Sequence, residues 1–205
     1  MHTRLIKVST VDAPIIIEAG EMLRRRELVA FPTETVYGLG ANGLDPVACQ
    51  KIFAVKGRPS DKPLSLHVSS VEMIDRIAHV SSIAQRLIET FLPGPLTLIL
   101  PKRSVVPDEV TCGLSTVGIR MPDNDIALAL IEAAGVPIAA PSANRSGRPS
   151  PTSAQDVLDE LNGLIPLVLD GGECRLGQAS TILDVESMKI LRAGSISIDQ
   201  LETII

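Results

Sequence analysis

The chain has no tryptophan, one tyrosine and three phenylalanines in 205 residues. Phe31, Phe53, Phe91 and Tyr37 are too few to build a stacking platform for single-stranded bases. Any nucleobase is therefore expected to rest on aliphatic side chains and backbone. Cysteine is also scarce. Cys49, Cys112 and Cys174 are odd in number and far apart, which argues against a disulfide framework and a zinc site. The three histidines, at 2, 67 and 79, lack metal-ligand spacing, so no metal site is expected. Long apolar runs are missing too. Those present are broken by proline and charge, too short to span a membrane, and no signal-peptide core follows Met1-His2-Thr3-Arg4. A cytoplasmic protein with no membrane partner is the expectation. The net charge is −5, from 19 basic and 24 acidic side chains. A generic nucleic-acid binder would be basic.

What is present is ordinary globular composition, 45% hydrophobic and 21% charged. Pattern and punctuation alternate short strands with short helices. Strands are expected at 5–8, 28–31, 64–68, 96–100, 117–121, 137–140, 167–169, 181–185 and 189–191. Helices are expected from Pro14 to Arg26, from Pro46 into a basic loop, and from Ser69, with Ser69 and Glu72 as a capping box. Further helices are expected over 81–91, 124–134, 152–161 and 198–204. Strands and helices mix without strict alternation. That favours an α/β sheet with some antiparallel pairing. No linker marks a boundary, so residues 1–205 read as one domain.

Four loops are rich in chemistry. Lys56-Gly57-Arg58-Pro59-Ser60-Asp61-Lys62-Pro63 leads into Leu64–His67 and concentrates cations in an acidic protein, as phosphate binding would require. Pro32-Thr33-Glu34-Thr35-Val36-Tyr37-Gly38-Leu39-Gly40 places hydroxyls and a carboxylate at a strand end, where α/β proteins hold ligands. Taken alone, it reads as a capped turn with glycine at left-handed positions. In Ala139–Ser150, Ser142 and Asn144 are two apart, so an extended backbone would face them the same way. Gly171-Gly172 through Thr181 is another glycine-rich turn entering a strand. No Walker A loop, GxGxxG or GxSxG motif occurs. Phosphate binding would then rely on side-chain cations and hydroxyls, with no covalent intermediate.

In order, FPTETVYGLG at 31–40, Lys56-x-Arg58, PGPLT at 93–97, TVGIRMP at 116–122, Ser142-x-Asn144 and STI at 180–182 resemble the YrdC/Sua5 family, the L-threonylcarbamoyladenylate synthases. The resemblance runs from about Leu28 to Arg192. It implies a twisted, mixed parallel and antiparallel sheet with flanking helices around a large basic concave cavity. It also implies a nucleotidyltransferase that makes threonylcarbamoyl-AMP and pyrophosphate from L-threonine, bicarbonate or CO2, and ATP. Magnesium would arrive with the nucleotide. A downstream transfer complex would use the product on adenosine 37 of tRNA, and tRNA or double-stranded RNA is a further partner that the family's basic surface suits.

Carried over by position, Lys56, Arg58, Ser142 and Asn144 form the catalytic tetrad. Arg58, Lys62, Thr116, Ser142, Ser150 and Arg192 would contact ATP. Thr35, His67, Arg120, Ser180 and the backbone at Ala140 would hold threonine, with Arg120 on its carboxylate. Long family members add a linker and a second domain beyond this region. These 205 residues are expected to hold the synthase domain alone. The competing expectations are a YciO-like paralogue and a double-stranded-RNA-binding protein without this activity.

Overall fold

The computed structural model describes residues 2–204. In chain order the strands are β1 (Arg4–Lys7), β2 (Val29–Phe31), β3 (Gly38–Asn42), β4 (Ser65–His67), β5 (Leu96–Pro101), β6 (Thr116–Arg120), β7 (Ile138–Ala139), β8 (Leu167–Asp170), β9 (Thr181–Asp184) and β10 (Lys189–Arg192). They form one ten-stranded sheet in the order β1-β8-β2-β3-β7-β4-β6-β5-β9-β10. Pairing is parallel at β1–β8, β8–β2, β4–β6 and β5–β9, and antiparallel elsewhere. The sheet is mixed, as the irregular strand–helix order predicts.

The helices are α1 (Pro14–Arg24), α2 (Pro46–Lys56), α3 (Val71–Ile77), α4 (Ser82–Phe91), α5 (Asp108–Thr111), α6 (Asp125–Ala134), α7 (Ala154–Leu161) and α8 (Ile198–Glu202). None among the described residues is long and apolar enough to cross a membrane. Two apolar clusters hold the helices to the sheet. The larger packs α2, α3, α4 and α7 with β3–β6, around Leu39, Ile52, Leu66, Leu87 and Leu98. The smaller packs α1 and α6 with β2 and β8, around Leu23, Phe31, Leu130 and Leu167. Gly20 is required where α1 crosses α6, because a Cβ there would lie 2.7 Å from the Ala133 carbonyl carbon.

Helix α2 aims the basic segment. Asp45 caps it, with Oδ1 accepting from the amides of Val47 (2.9 Å) and Ala48 (3.2 Å), and Pro46 occupies the first turn. Gly57 ends it at φ 57°, a left-handed conformation that glycine adopts without a Cβ penalty.

Several expectations need correction. Residues 38–42 are strand β3, and neither Gly38 nor Gly40 has positive φ. Gly40 is small because a Cβ would come 2.9 Å from Cε1 of Phe31 on the paired strand. The cap of α3 is Ser70, whose hydroxyl accepts from the Met73 amide at 3.3 Å, so Ser69 and Glu72 form no box. The one-turn helix α5 was not anticipated, since four residues carry no periodicity.

Candidate active site

A cleft of about 730 Å³, counting its mouth, opens where several strand ends converge. Its walls come from the β2–β3 connection, the segment after α2, the ends of β4 and β6, the loop after β7, and β9–β10. Parallel pairing of β4 with β6 sets His67 opposite Arg120. In-register neighbours on parallel strands project to the same face, so both reach the cleft at the same end.

Three guanidiniums, those of Arg58, Arg120 and Arg192, line the cleft with His67, and no carboxylate is among the lining residues. Each arginine is held by its own neighbours. Arg58 donates through Nε to the Lys62 carbonyl (2.9 Å) and through Nη2 to the Pro63 carbonyl (2.8 Å). Arg192 donates through Nε to the Ser180 carbonyl and through Nη2 to Ser180 Oγ, both at 3.0 Å. Ser180 Oγ also shares a 2.8 Å hydrogen bond with Thr97 Oγ1. Arg120 donates from Nε to the Gly94 carbonyl at 3.3 Å.

The electrostatics fit an anion. Burial lowers the pKa of Arg192, and the charges of Arg120 and Arg58 lower it further. Burial also lowers that of Arg58. Cations that are desolvated and repel one another gain from an anion placed among them. His67 is buried, and burial followed by the Arg120 charge holds it well below 6.5, so it is neutral at physiological pH. Its Nδ1 has no hydrogen-bond partner, and its ring meets Phe31 edge-on at 6.2 Å.

The hydroxyl side is equally fixed. Thr33 Oγ1 accepts from the amides of Thr35 (3.1 Å) and Val36 (3.2 Å), and shares a 2.9 Å bond with Thr35 Oγ1. Tyr37 donates its hydroxyl proton to the Gly172 carbonyl (2.7 Å) and accepts from the Gly171 amide (3.2 Å), which ties down the 171–172 turn. Gly172 is at φ 85°.

The structure brings nine of the thirteen expected site residues to the cleft: Thr35, Arg58, His67, Arg120, Ala140, Ser142, Ser150, Ser180 and Arg192. Four lie outside its lining. Lys62 is exposed and offers its carbonyl to Arg58. Thr116 opens β6, whereas Arg120 closes it, so the two are separated by about 13 Å of strand. Lys56 is the last residue of α2, not part of a loop. Its ammonium is buried and donates to the carbonyls of Ser142 and Asn144. Asn144, unlike Ser142, does not line the cleft. Its amide donates to the carbonyls of Arg145 (2.9 Å) and Arg148 (2.7 Å), closing the loop on itself. Ser142 bridges Gly38 in extended backbone, but the chain bends at 143–144, so the two-residue spacing of a strand does not carry through to Asn144. Thr97 also lines the cleft, and its signal in the sequence is a polar residue set between two apolar ones in β5.

The fold and cleft define an α/β protein with a cleft lined by three arginines and a neutral histidine. The Sua5/YciO/YrdC family model, described as "telomere recombination", matches residues 21–194. The chain belongs to this family. Threonylcarbamoyl-AMP synthase from Pyrococcus abyssi is 50% identical over 194 residues, covering 93% of this chain and 57% of that protein. Threonylcarbamoyl-AMP synthase from Bacillus subtilis is 48% identical over 203 residues, covering 97% and 58%. The chain thus spans somewhat over half the length of these curated relatives. A crystal structure of P. abyssi Sua5 complexed with L-threonine superposes with a TM-score of 0.96 at 48% identity, over 99% of this chain and 61% of that one. Escherichia coli YciO shares the fold, with a TM-score of 0.87 at 24% identity over 97% of this chain and 99% of that one.

Proposed function

We propose that this chain is a threonylcarbamoyl-AMP synthase, joining L-threonine, bicarbonate or CO2, and ATP, and releasing pyrophosphate. The observation that carries this reading is the convergence of Arg58, Arg120 and Arg192 on a cleft without a lining carboxylate, beside a hydroxyl-rich end holding neutral His67. The names and the threonine complex of the relatives support the substrate choice.

In this reading the threonine nitrogen bonds to the carbon of CO2 and loses a proton. A carbamate oxygen then attacks the α-phosphorus of ATP. The bond to the bridging oxygen breaks, and pyrophosphate leaves with the electron pair. Phosphoryl-type transfer of this kind depends on positioning and on charge stabilisation. Arg58 and Arg192 face the phosphates, with Ser142 and Ser150 on the nucleotide. Arg120 takes the amino-acid carboxylate, and Thr35, His67, Ser180 and the Ala140 backbone surround the rest of threonine. Lys56 and Asn144 act through the loop that carries Ser142. Thr116 and Lys62 would reach ATP only at its periphery.

The described residues offer no group of three ligating side chains for a resident cation. Magnesium would arrive with the nucleotide, coordinated by its phosphates. One synthase domain over residues 1–205, a cytoplasmic location and delivery of the product to a tRNA-modifying transfer complex belong to the same proposal. Radiolabelled bicarbonate tests it directly. Label should enter a product with the mass of threonylcarbamoyl-AMP, and no incorporation in the presence of ATP and L-threonine overturns it.

A further inference from the structure

Among the described residues, Glu34 is the one acidic side chain buried against the cleft cations. It is fixed from both sides. Thr33 folds the backbone that follows it, and its own carbonyl accepts from the Leu176 amide at 2.8 Å. Its side chain is 1% exposed, and its Oε2 lies 2.7 Å from Nη2 of Arg120, which is 5% exposed. That contact is an ion pair without hydrogen-bond geometry, so Oε1 and Oε2 of Glu34 and Nη2 of Arg120 all lack a directed partner. Arg120 lines the cleft and Glu34 does not. The carboxylate thus meets the guanidinium from outside the cleft lining.

Stability does not explain this arrangement. A buried ion pair with poor geometry is often matched or bettered by apolar side chains of similar volume. What the pair does do is local. It ties the Arg120 guanidinium to the β2–β3 connection, while Arg120 still lines the cleft.

We propose that Glu34 is a positioning residue that sets Arg120 to read a single carboxylate, and so makes the amino-acid end of the cleft selective for a free amino acid. This rests on the threonine reading given above. Because Glu34 acts through Arg120, removing its charge should affect the recognition of carboxylate and leave the nucleotide end alone.

The test compares binding of L-threonine and L-threoninamide by calorimetry, in the wild type and in Glu34→Gln. The wild type should prefer threonine by at least about tenfold, the ratio that a single charge-assisted contact worth ~1.4 kcal/mol supplies. In Glu34→Gln the preference should shrink to within about threefold, with ATP affinity changed less than about twofold. A folded Glu34→Gln whose ratio equals or exceeds that of the wild type overturns the proposal, a rise being what mere removal of a negative charge beside Arg120 would give. So does a loss of ATP affinity equal to the loss of threonine affinity, which would mark a merely structural residue. If Glu34→Gln does not fold, Glu34→Asp keeps the charge and withdraws it by one methylene. Its ratio should fall below that of the wild type, and an unchanged ratio overturns the proposal. Failure of the wild type to bind threonine at all would instead sink the proposed function.

Discussion

The ammonium of Lys56, at the last turn of α2, is buried and donates to the backbone carbonyl of Asn144 in the loop after β7. A cation read in the sequence as a phosphate contact is thus a clamp between two backbone segments. It takes the Ser142 carbonyl as well, and so fixes the height at which the Ser142 side chain meets the cleft.

The clamp has a pH signature. Burial, then the Arg58 charge, lowers Lys56 from its ordinary 10.5 to about 8. The folded protein therefore binds fewer protons than the unfolded chain between those values, and stability rises with pH across that window. The gain is at most about 3–4 kcal/mol, at ~1.4 kcal/mol per tenfold in proton affinity. Denaturant melts of the wild type between pH 8 and 10.5 should show this rise, and Lys56→Met should flatten it. Lys56→Met should also weaken ATP binding, because Ser142 loses its support.

His67 gives the corresponding acid-side prediction. Its folded pKa lies well below 6.5, because burial and then Arg120 disfavour the charged ring. Below pH 6.5 the unfolded chain takes up a proton that the folded state refuses, so stability falls as pH drops. His67→Gln should make melting temperature less sensitive to pH between 6.5 and 5.

The cations differ in expected cost. Arg58 lines the cleft, whereas Lys62 is exposed and contributes a carbonyl that any residue would supply. Arg58→Ala should lower kcat/KM by about 2–4 kcal/mol of transition-state stabilisation, by analogy with oxyanion donors. Lys62→Ala should fall by less than about 1 kcal/mol, as exposed charges generally do. Steady-state kinetics with melting temperatures alongside would check the order, and a reversed order would show that the nucleotide lies elsewhere.

Substrate choice tests the hydroxyl end. Ser180 Oγ, bridged to Thr97 and Arg192, is part of a network that leaves little freedom to an isostere without a hydroxyl. A polar pocket rejects a missing hydroxyl more strongly than a missing methyl. Serine should therefore be a weak substrate, and valine, which leaves buried polar groups unpaired at roughly 1–3 kcal/mol each, close to inert. Competition calorimetry with the three amino acids decides this. Valine binding as well as serine would show that the pocket reads shape alone.

Much of this architecture was legible in the chain. Pro46 with Asp45, Asn124 before Asp125, and Ser153 before Ala154 mark helix starts that the structure keeps, because capping is a local matter of a side-chain oxygen and two or three amides. Leu96–Leu100 reads as a buried strand because its apolar run is too dense for anything exposed. Other features depend on partners distant in sequence. Gly38-Leu39-Gly40 reads as a turn, and pairing with β2 makes it a strand whose glycines leave room for the Phe31 ring. Whether Lys56 faces phosphate or carbonyl is decided by a loop nearly ninety residues on. The pairing of Glu34 with Arg120 is likewise invisible until β6 is placed beside the β2–β3 connection.

Pyrophosphate release tests the central claim most directly. Purified protein with Mg2+ and ATP should be assayed with L-threonine alone, bicarbonate alone, both and neither. Release should depend on the two together and fall sharply in Arg58→Ala, since the carbamate they form is the nucleophile. Equal release without threonine, or none under any of the four conditions, would contradict the account.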